Sequence, residues 1–170
     1  MVNLPVKPVV LLGFMGSGKS TLGKQLATIL GWGFIDLDRF IEALENRTIP
    51  EIFSQDGEAA FRKIESMALH KVLTYNCQVI AIGGGAPCQP ENLNLIKEKS
   101  HSVYLKISEA QLSARLAYSN TPRPLLNGKS ESETQIFIRD LLAIREPFYK
   151  QADFIIESDT ISAEMIASNL

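Results

Sequence analysis

The sequence predicts an α/β fold built on a mainly parallel sheet. Short apolar runs alternate with helical patterns from one end to the other. Gly13-Phe14-Met15-Gly16-Ser17-Gly18-Lys19-Ser20 matches the G-x-x-x-x-G-K-[ST] loop that cradles phosphates, with a strand-like run before it and a helical pattern after it. There is no internal repeat, and 170 residues suit one domain with a substantial core.

Each element follows from its own pattern. Pro8-Val9-Val10-Leu11-Leu12 is short and apolar, a buried strand leading into the glycine loop. After the loop, Thr21 to Leu30 places apolar residues 22, 26, 29 and 30 on one helical face. Gly33-Phe34-Ile35 is a second strand that ends in Asp36-Leu37-Asp38. Asp38 to Leu44 is helical, and a new short helix begins at Thr48-Ile49-Pro50, with Pro50 in its first turn. A long amphipathic helix runs from Gly57 to about Tyr75. Gln78 to Ile82 is the third strand, closed by Gly83-Gly84-Gly85, and a helix follows over about 90–98. The fourth strand is 102–107, followed by a helix over 108–117 that Ser108 caps. A helix over 132–146 stops at Pro147, and a fifth strand at 154–156 precedes a last helix over 161–168.

One stretch, 118–129, breaks this rhythm with Pro122, Pro124 and Gly128. A long loop in a compact domain is a functional lid or a loose connector. An arginine pinned between two prolines, Arg123, favours the lid.

Composition narrows the function. A net charge of −2 offers no general attraction to nucleic acid or to an acidic membrane, so neither is an expected partner. Anionic substrates would need a local cluster of cations. Cys77 and Cys88, eleven apart, form neither a disulfide framework nor a metal set, which suits a reducing cytoplasm. His70 and His101 stand apart from other ligand types and read as structural or surface residues. No apolar run approaches the ~18 residues of a membrane span. The first residues resemble neither a signal nor a transit peptide, so a cytoplasmic location is expected, although an imported and processed chain would look the same.

In open α/β sheets ligands gather at the carboxyl ends of the strands, and the residues found there are chemically pointed. After the first strand, Gly16 and Gly18 let backbone approach phosphate oxygens, while the amides of the first helical turn face them. Gly16, Ser17, Gly18, Lys19, Ser20 and Thr21 thus form a nucleotide cradle, with Lys19 as a point charge and the Ser20 hydroxyl available to Mg²⁺. After the second strand come Asp36 and Asp38, whose side chains leave the same side of an extended chain. One could bind the metal through water and the other accept a substrate proton, or one could simply cap the following helix. Gly83, Gly84 and Gly85 follow the third strand, where three glycines favour close approach to a ligand over a plain turn. Arg62 and Glu65 are three apart on a helix, and spacing alone favours a surface ion pair over a clamp for a carboxylate. Arg145 near a helix end is either a macrodipole partner or a second anion clamp.

Taken together, these motifs resemble the shikimate kinases, small P-loop kinases related to the nucleoside monophosphate kinases. The resemblance covers nearly the whole chain. Gly13–Ser20 is similar to the family's Walker A loop, Asp36-Leu37-Asp38 to its D-x-D, and Phe61-Arg62-Lys63-Ile64-Glu65 to its F-R-x-x-E. Gly83–Gly85 is similar to its glycine motif, Arg123-Pro124-Leu125-Leu126 to its lid signature, and Arg145-Glu146-Pro147-Phe148-Tyr149 with Ala152-Asp153 to its R-x-x-x-Y…A segment near the end. The resemblance implies a single three-layer αβα P-loop kinase domain over 1–170, a five-stranded sheet of order 2-3-1-4-5, a mobile lid and a monomer. It implies transfer of the γ-phosphoryl of MgATP to the 3-hydroxyl of shikimate, with ATP and Mg²⁺ required. Arg62 and Arg145 would hold the shikimate carboxylate, Asp38 its hydroxyls and then the proton, and Gly83, Gly84 and Gly85 would line its pocket. Ser20 would meet Mg²⁺ directly and Asp36 through water, while Lys19 and Arg123 would hold the transferring group.

The pattern departs from the family in one place. Some members carry an arginine seven residues before the lid arginine, where it stacks on adenine; here that position is Leu116, and the neighbouring Arg115 is the candidate. Two rival functions remain distinct expectations. One is a sister kinase acting on gluconate or a nucleoside monophosphate. The other is a kinase-like binding module without catalysis, which the presence of Lys19, Asp38, Arg62 and Arg123 argues against.

Overall fold

Five parallel strands form one sheet in the order β2-β3-β1-β4-β5, where β1 is Val9–Leu12, β2 Gly33–Asp36, β3 Gln78–Ala81, β4 His101–Lys106 and β5 Phe154–Glu157. This computed structural model describes residues 7–118, 126 and 128–170. The α-helices between the strands are α1 (Lys19–Leu30), α2 (Leu37–Glu45), α3 (Ile49–Val72), α4 (Pro90–Lys99), α5 (Glu109–Ala117) and α6 (Glu131–Tyr149), and α7 (Ala163–Asn169) follows β5.

Strand β1 explains the layering. It lies between β3 and β4, so both of its faces must be covered. Val10 and Leu12 point into a core shared with Leu37, Ile41, Ile52, Phe61, Leu69, Ile96, Leu112 and Ile138, contributed by α2 to α6. Val9 and Leu11 point the other way, against Leu22 and Leu26 of α1 and Ile166 of α7. All four β1 side chains are buried, as the continuous apolar run requires. The expected α/β class and strand order both hold.

Three boundaries depart from the sequence expectation. Strand β2 runs through Asp36, and α2 begins at Leu37, so Asp36 and Asp38 are not two residues of one extended segment. Asp36 is the N-cap of α2, its carboxylate accepting from the amides of Asp38 and Arg39. The short helix at 48–53 and the longer one after Gly57 are continuous except at Gly57, whose φ of 84° and ψ of 172° break the helical path, and the helix ends at Val72. The expected stop at Pro147 is overridden: α6 continues to Tyr149. Tyr149 is fully buried and its hydroxyl donates to the Gly84 carbonyl at 2.6 Å, which anchors the last turn despite the missing proline N–H.

Candidate functional site

The glycine loop after β1 is shaped to receive an anion. Gly16 and Gly18 hold φ values of 82° and 93°, the left-handed region that side chains avoid. The Ser17 amide closes a tight turn on the Phe14 carbonyl at 3.1 Å. Side chains of Asp36, Thr48, Ser108, Ser130 and Ser162 cap the N-termini of α2, α3, α5, α6 and α7. Helix α1 starts at Gly18 with no side-chain cap, so its first amides keep their capacity for an anion. Lys19 Nζ lies over the loop, donating to the carbonyls of Gly13 at 2.8 Å and Phe14 at 3.0 Å.

At the edge of the loop the Ser20 hydroxyl donates to Asp36 Oδ2 at 2.6 Å, while Asp36 Oδ1 caps α2. One carboxylate therefore caps α2 and also accepts from the loop serine. A hydroxyl and a carboxylate side by side are hard oxygen donors, the chemistry that fits Mg²⁺.

Across from the loop, Gly83-Gly84-Gly85 forms a floor on which charged side chains converge. A Cβ at Gly85 would come within 2.8 Å of Arg62 Nη2 and 2.9 Å of Nη1. A Cβ at Gly84 would meet Arg145 Nη1 at 3.0 Å and the Tyr149 hydroxyl at 3.1 Å. At Gly83 the neighbours are Glu65 Oε1 at 3.3 Å and Asp38 Oδ1 at 3.4 Å. Two guanidinium groups far apart in sequence thus meet over one small surface, beside the Asp38 carboxylate.

The expectation of a surface Arg62–Glu65 pair is corrected here. The pair exists, with Arg62 Nη1 to Glu65 Oε2 at 2.8 Å, but the Glu65 side chain is only 1% exposed. Helix spacing could not reveal that α3 turns this face toward the glycine floor. Glu58 holds Arg62 Nη2 at 3.3 Å from the solvent side, so the guanidinium is braced from two directions.

Burial sets the protonation tendencies. It pushes the Asp38 carboxyl above its usual range, Asp36 and Glu42 push the same way, and Lys19 and Arg39 oppose. Burial likewise raises Glu65, with Arg62 and Arg145 opposing and Asp38 reinforcing. That Lys19 and the glycine-floor carboxylate of Asp38 act on one another ties the phosphate loop to the guanidinium pair.

One supporting brace escaped sequence reasoning. Asn92 is buried, and it accepts from Ser66 Oγ at 2.8 Å and donates to the Ala86 carbonyl at 3.0 Å, bracing the turn after the glycines. Its position one helical turn before Ile96 on the inward face of α4 was the available signal. Thr21 is exposed in the first turn of α1. Arg115 donates to the carbonyls of Gly16, Ser17 and Asp159. Arg123 and most of the expected lid lie outside the described residues.

Known proteins match this arrangement along nearly its whole length. The family model described as shikimate kinase matches residues 15–170. A shikimate kinase of Parabacteroides distasonis is 40% identical over 159 residues, covering 94% of this chain and 92% of the relative. The crystal structure of shikimate kinase from Bacteroides thetaiotaomicron is similar with a TM-score of 0.89 at 39% identity, covering 95% of this chain and 93% of that one. A shikimate kinase from Acinetobacter baumannii in complex with shikimate gives a TM-score of 0.85 at 36% identity, over 96% and 90% of the two chains. The chain belongs to the shikimate kinase family.

Proposed function

We propose that this protein transfers the γ-phosphoryl group of ATP to the 3-hydroxyl of shikimate, giving ADP and shikimate 3-phosphate. The observation that carries this reading is the meeting of Arg62 and Arg145 over Gly84 and Gly85, beside Asp38. A ring acid with a carboxylate at one end and hydroxyls at the other suits that combination. The guanidinium groups bind the carboxylate, and Asp38 takes the hydroxyls.

Phosphoryl transfer through a loose transition state gains mainly from positioning and charge neutralisation. Lys19 leaves the loop carbonyls to hold phosphate oxygens, while the amides opening α1 bind their share. Arg123 joins them from the lid segment. Asp38 aligns the attacking oxygen and accepts its proton late, a role aided by its raised pKa. Glu65 holds Arg62 in place from beneath. Ser20 and Asp36 would hold Mg²⁺, Ser20 directly and Asp36 through water; bound there, the metal neutralises charge on the phosphates.

The same reading takes the working unit to be a monomer, as the family resemblance implies. It places the protein in a reducing cytoplasm, in keeping with the free thiols of Cys77 and Cys88. No helix among the described residues is long and apolar enough to cross a membrane.

ADP release with ATP alone, with shikimate and with gluconate tests the assignment. Release that depends on shikimate is expected. Release that depends on gluconate, or none with any acceptor, would reject it.

A further inference from the structure

We infer that Arg115 is a positioning residue for the phosphate loop, acting on the loop's backbone. Arg115 stands in the last turn of α5, and an arginine there runs back toward the helix N-terminus. Its Nη2 donates to the Asp159 carbonyl at 2.9 Å, in the turn between β5 and α7. Its Nη1 donates to the carbonyls of Gly16 at 3.3 Å and Ser17 at 3.5 Å. One planar fork therefore ties the loop after β1 to the turn after β5, an arrangement a lysine cannot reproduce.

The consequence follows from peptide geometry. In a planar trans peptide the carbonyl of one residue and the amide of the next point in opposite directions. Holding the Ser17 carbonyl on the Arg115 side turns the Gly18 amide away from Arg115. Gly18 is the residue that opens α1 without a side-chain cap, so this amide is part of the anion cradle. Two further loop carbonyls, Gly13 and Phe14, are held by Lys19. Two cations thus hold four of the loop's carbonyls, and Arg115 holds the pair at Gly16 and Ser17.

Its footing is itself braced. Both carboxylate oxygens of Asp159 accept from Ser108, one from the amide and one from the hydroxyl, each at 2.9 Å. Asp159 therefore grips α5 at its N-terminus through its side chain and at its last turn through its carbonyl. Beside Arg115, Leu116 packs under Gly16, where a Cβ would meet Cδ2 at 3.2 Å. The end of α5, which leads directly into the segment carrying Arg123, is thereby fastened to the phosphate loop.

The inference rests on the loop taking a nucleotide and not on the identity of the acceptor. A residue that orients the cradle affects every ligand with a polyphosphate, whereas a residue that stacks on adenine affects only adenine nucleotides. Equilibrium binding of ADP and of inorganic tripolyphosphate to wild type, Arg115→Ala and Arg115→Lys separates these roles without any need for turnover. Arg115→Ala is expected to weaken both ligands by about the same factor, roughly tenfold. In steady-state assays it raises the ATP KM and leaves the shikimate KM within about twofold. Arg115→Lys, which keeps the charge but cannot bridge three carbonyls, is expected to lie between wild type and alanine, and it carries the test should the alanine variant fail to fold. Loss confined to ADP, or unchanged binding of both ligands in Arg115→Lys and Arg115→Ala, would overturn the inference.

Discussion

Alanine at position 85 should damage acceptor binding without damaging the fold. Gly85 has φ −90° and ψ −16°, a right-handed conformation open to any residue, so the backbone does not require glycine. What requires it is space. The three heavy atoms nearest an added Cβ all belong to the Arg62 guanidinium, at 2.8, 2.9 and 3.1 Å. Ordinary contact begins near 3.4 Å, so the guanidinium must retreat by about 0.6 Å. It cannot retreat freely, because buried Glu65 holds Nη1 at 2.8 Å. Two-pronged binding of a carboxylate tolerates little misplacement. Loss of one charge-assisted hydrogen bond, about 1.5–3 kcal/mol, corresponds to a shikimate KM raised roughly 10- to 100-fold.

The assay needs three readouts for Gly85→Ala: shikimate KM, ATP KM and melting temperature. The expected pattern is a raised shikimate KM, an unchanged ATP KM and a melting temperature within about 3 °C of wild type. Gly57→Ala is the converse control. Nothing lies within 4 Å of its Cβ position, but its φ of 84° strains any side chain. It should lose about 1 kcal/mol of stability and keep both KM values. An unchanged shikimate KM in Gly85→Ala would refute the assignment of Arg62 to the acceptor. So would a collapse in stability, which would make the glycine a backbone requirement.

The two raised carboxyls give further expectations. A carboxyl whose folded pKa lies above its unfolded value binds its proton more tightly in the fold, so stability falls as pH rises through that window. Asp38→Asn, neutral at all pH, should therefore melt at or above wild type at pH 7, with the gap closing as pH falls below the ordinary carboxylate range. Its turnover should drop by about two orders of magnitude or more, and near-normal turnover would remove Asp38 as the base. The wild-type rate should also fall with acidification at a pH above the usual aspartate value of 3.8, a limb that pH–rate profiles would detect and Asp38→Asn would lack. Glu65→Gln should likewise melt no lower than wild type at pH 7, yet raise the shikimate KM several-fold, about 1 kcal/mol, by loosening Arg62. A lower melting temperature with an unchanged KM would make Glu65 structural only.

Much of this was legible from residue order because its causes are local. A continuous apolar run must be buried on both faces, and β1 is. Left-handed turns at Gly16 and Gly18 admit few residues other than glycine, so the loop announces itself. Most of the misses came from contacts that local pattern cannot contain. Arg62 and Glu65 read as a surface pair because spacing reports adjacency and not depth. Pro147 read as a stop because the buried bond from Tyr149 to Gly84 spans 65 positions. Asp36 and Asp38 looked like members of one strand because the helix boundary between them is set by Asp36's own carboxylate. The three bonds of Arg115 reach 44 to 99 positions away, beyond any periodicity.

The placement of acids explains how a chain of net charge −2 can bind two anionic substrates. Cations crowded into a pocket repel one another and would swing into solvent unless something holds them. Here Glu65 and Glu58 fix Arg62, main-chain carbonyls fix Lys19 and Arg115, and Tyr149 and Gly84 flank Arg145. Main-chain carbonyls hold a cation without cancelling its charge, whereas a carboxylate subtracts from the field it organises. The division is consistent with the two tasks. Around the phosphate loop, where the ligand carries several charges, the anchors are mostly neutral carbonyls. Around the glycine floor, where the proposed ligand carries one carboxylate, the anchors of Arg62 are themselves acids, Glu65 beneath it and Glu58 on the solvent side.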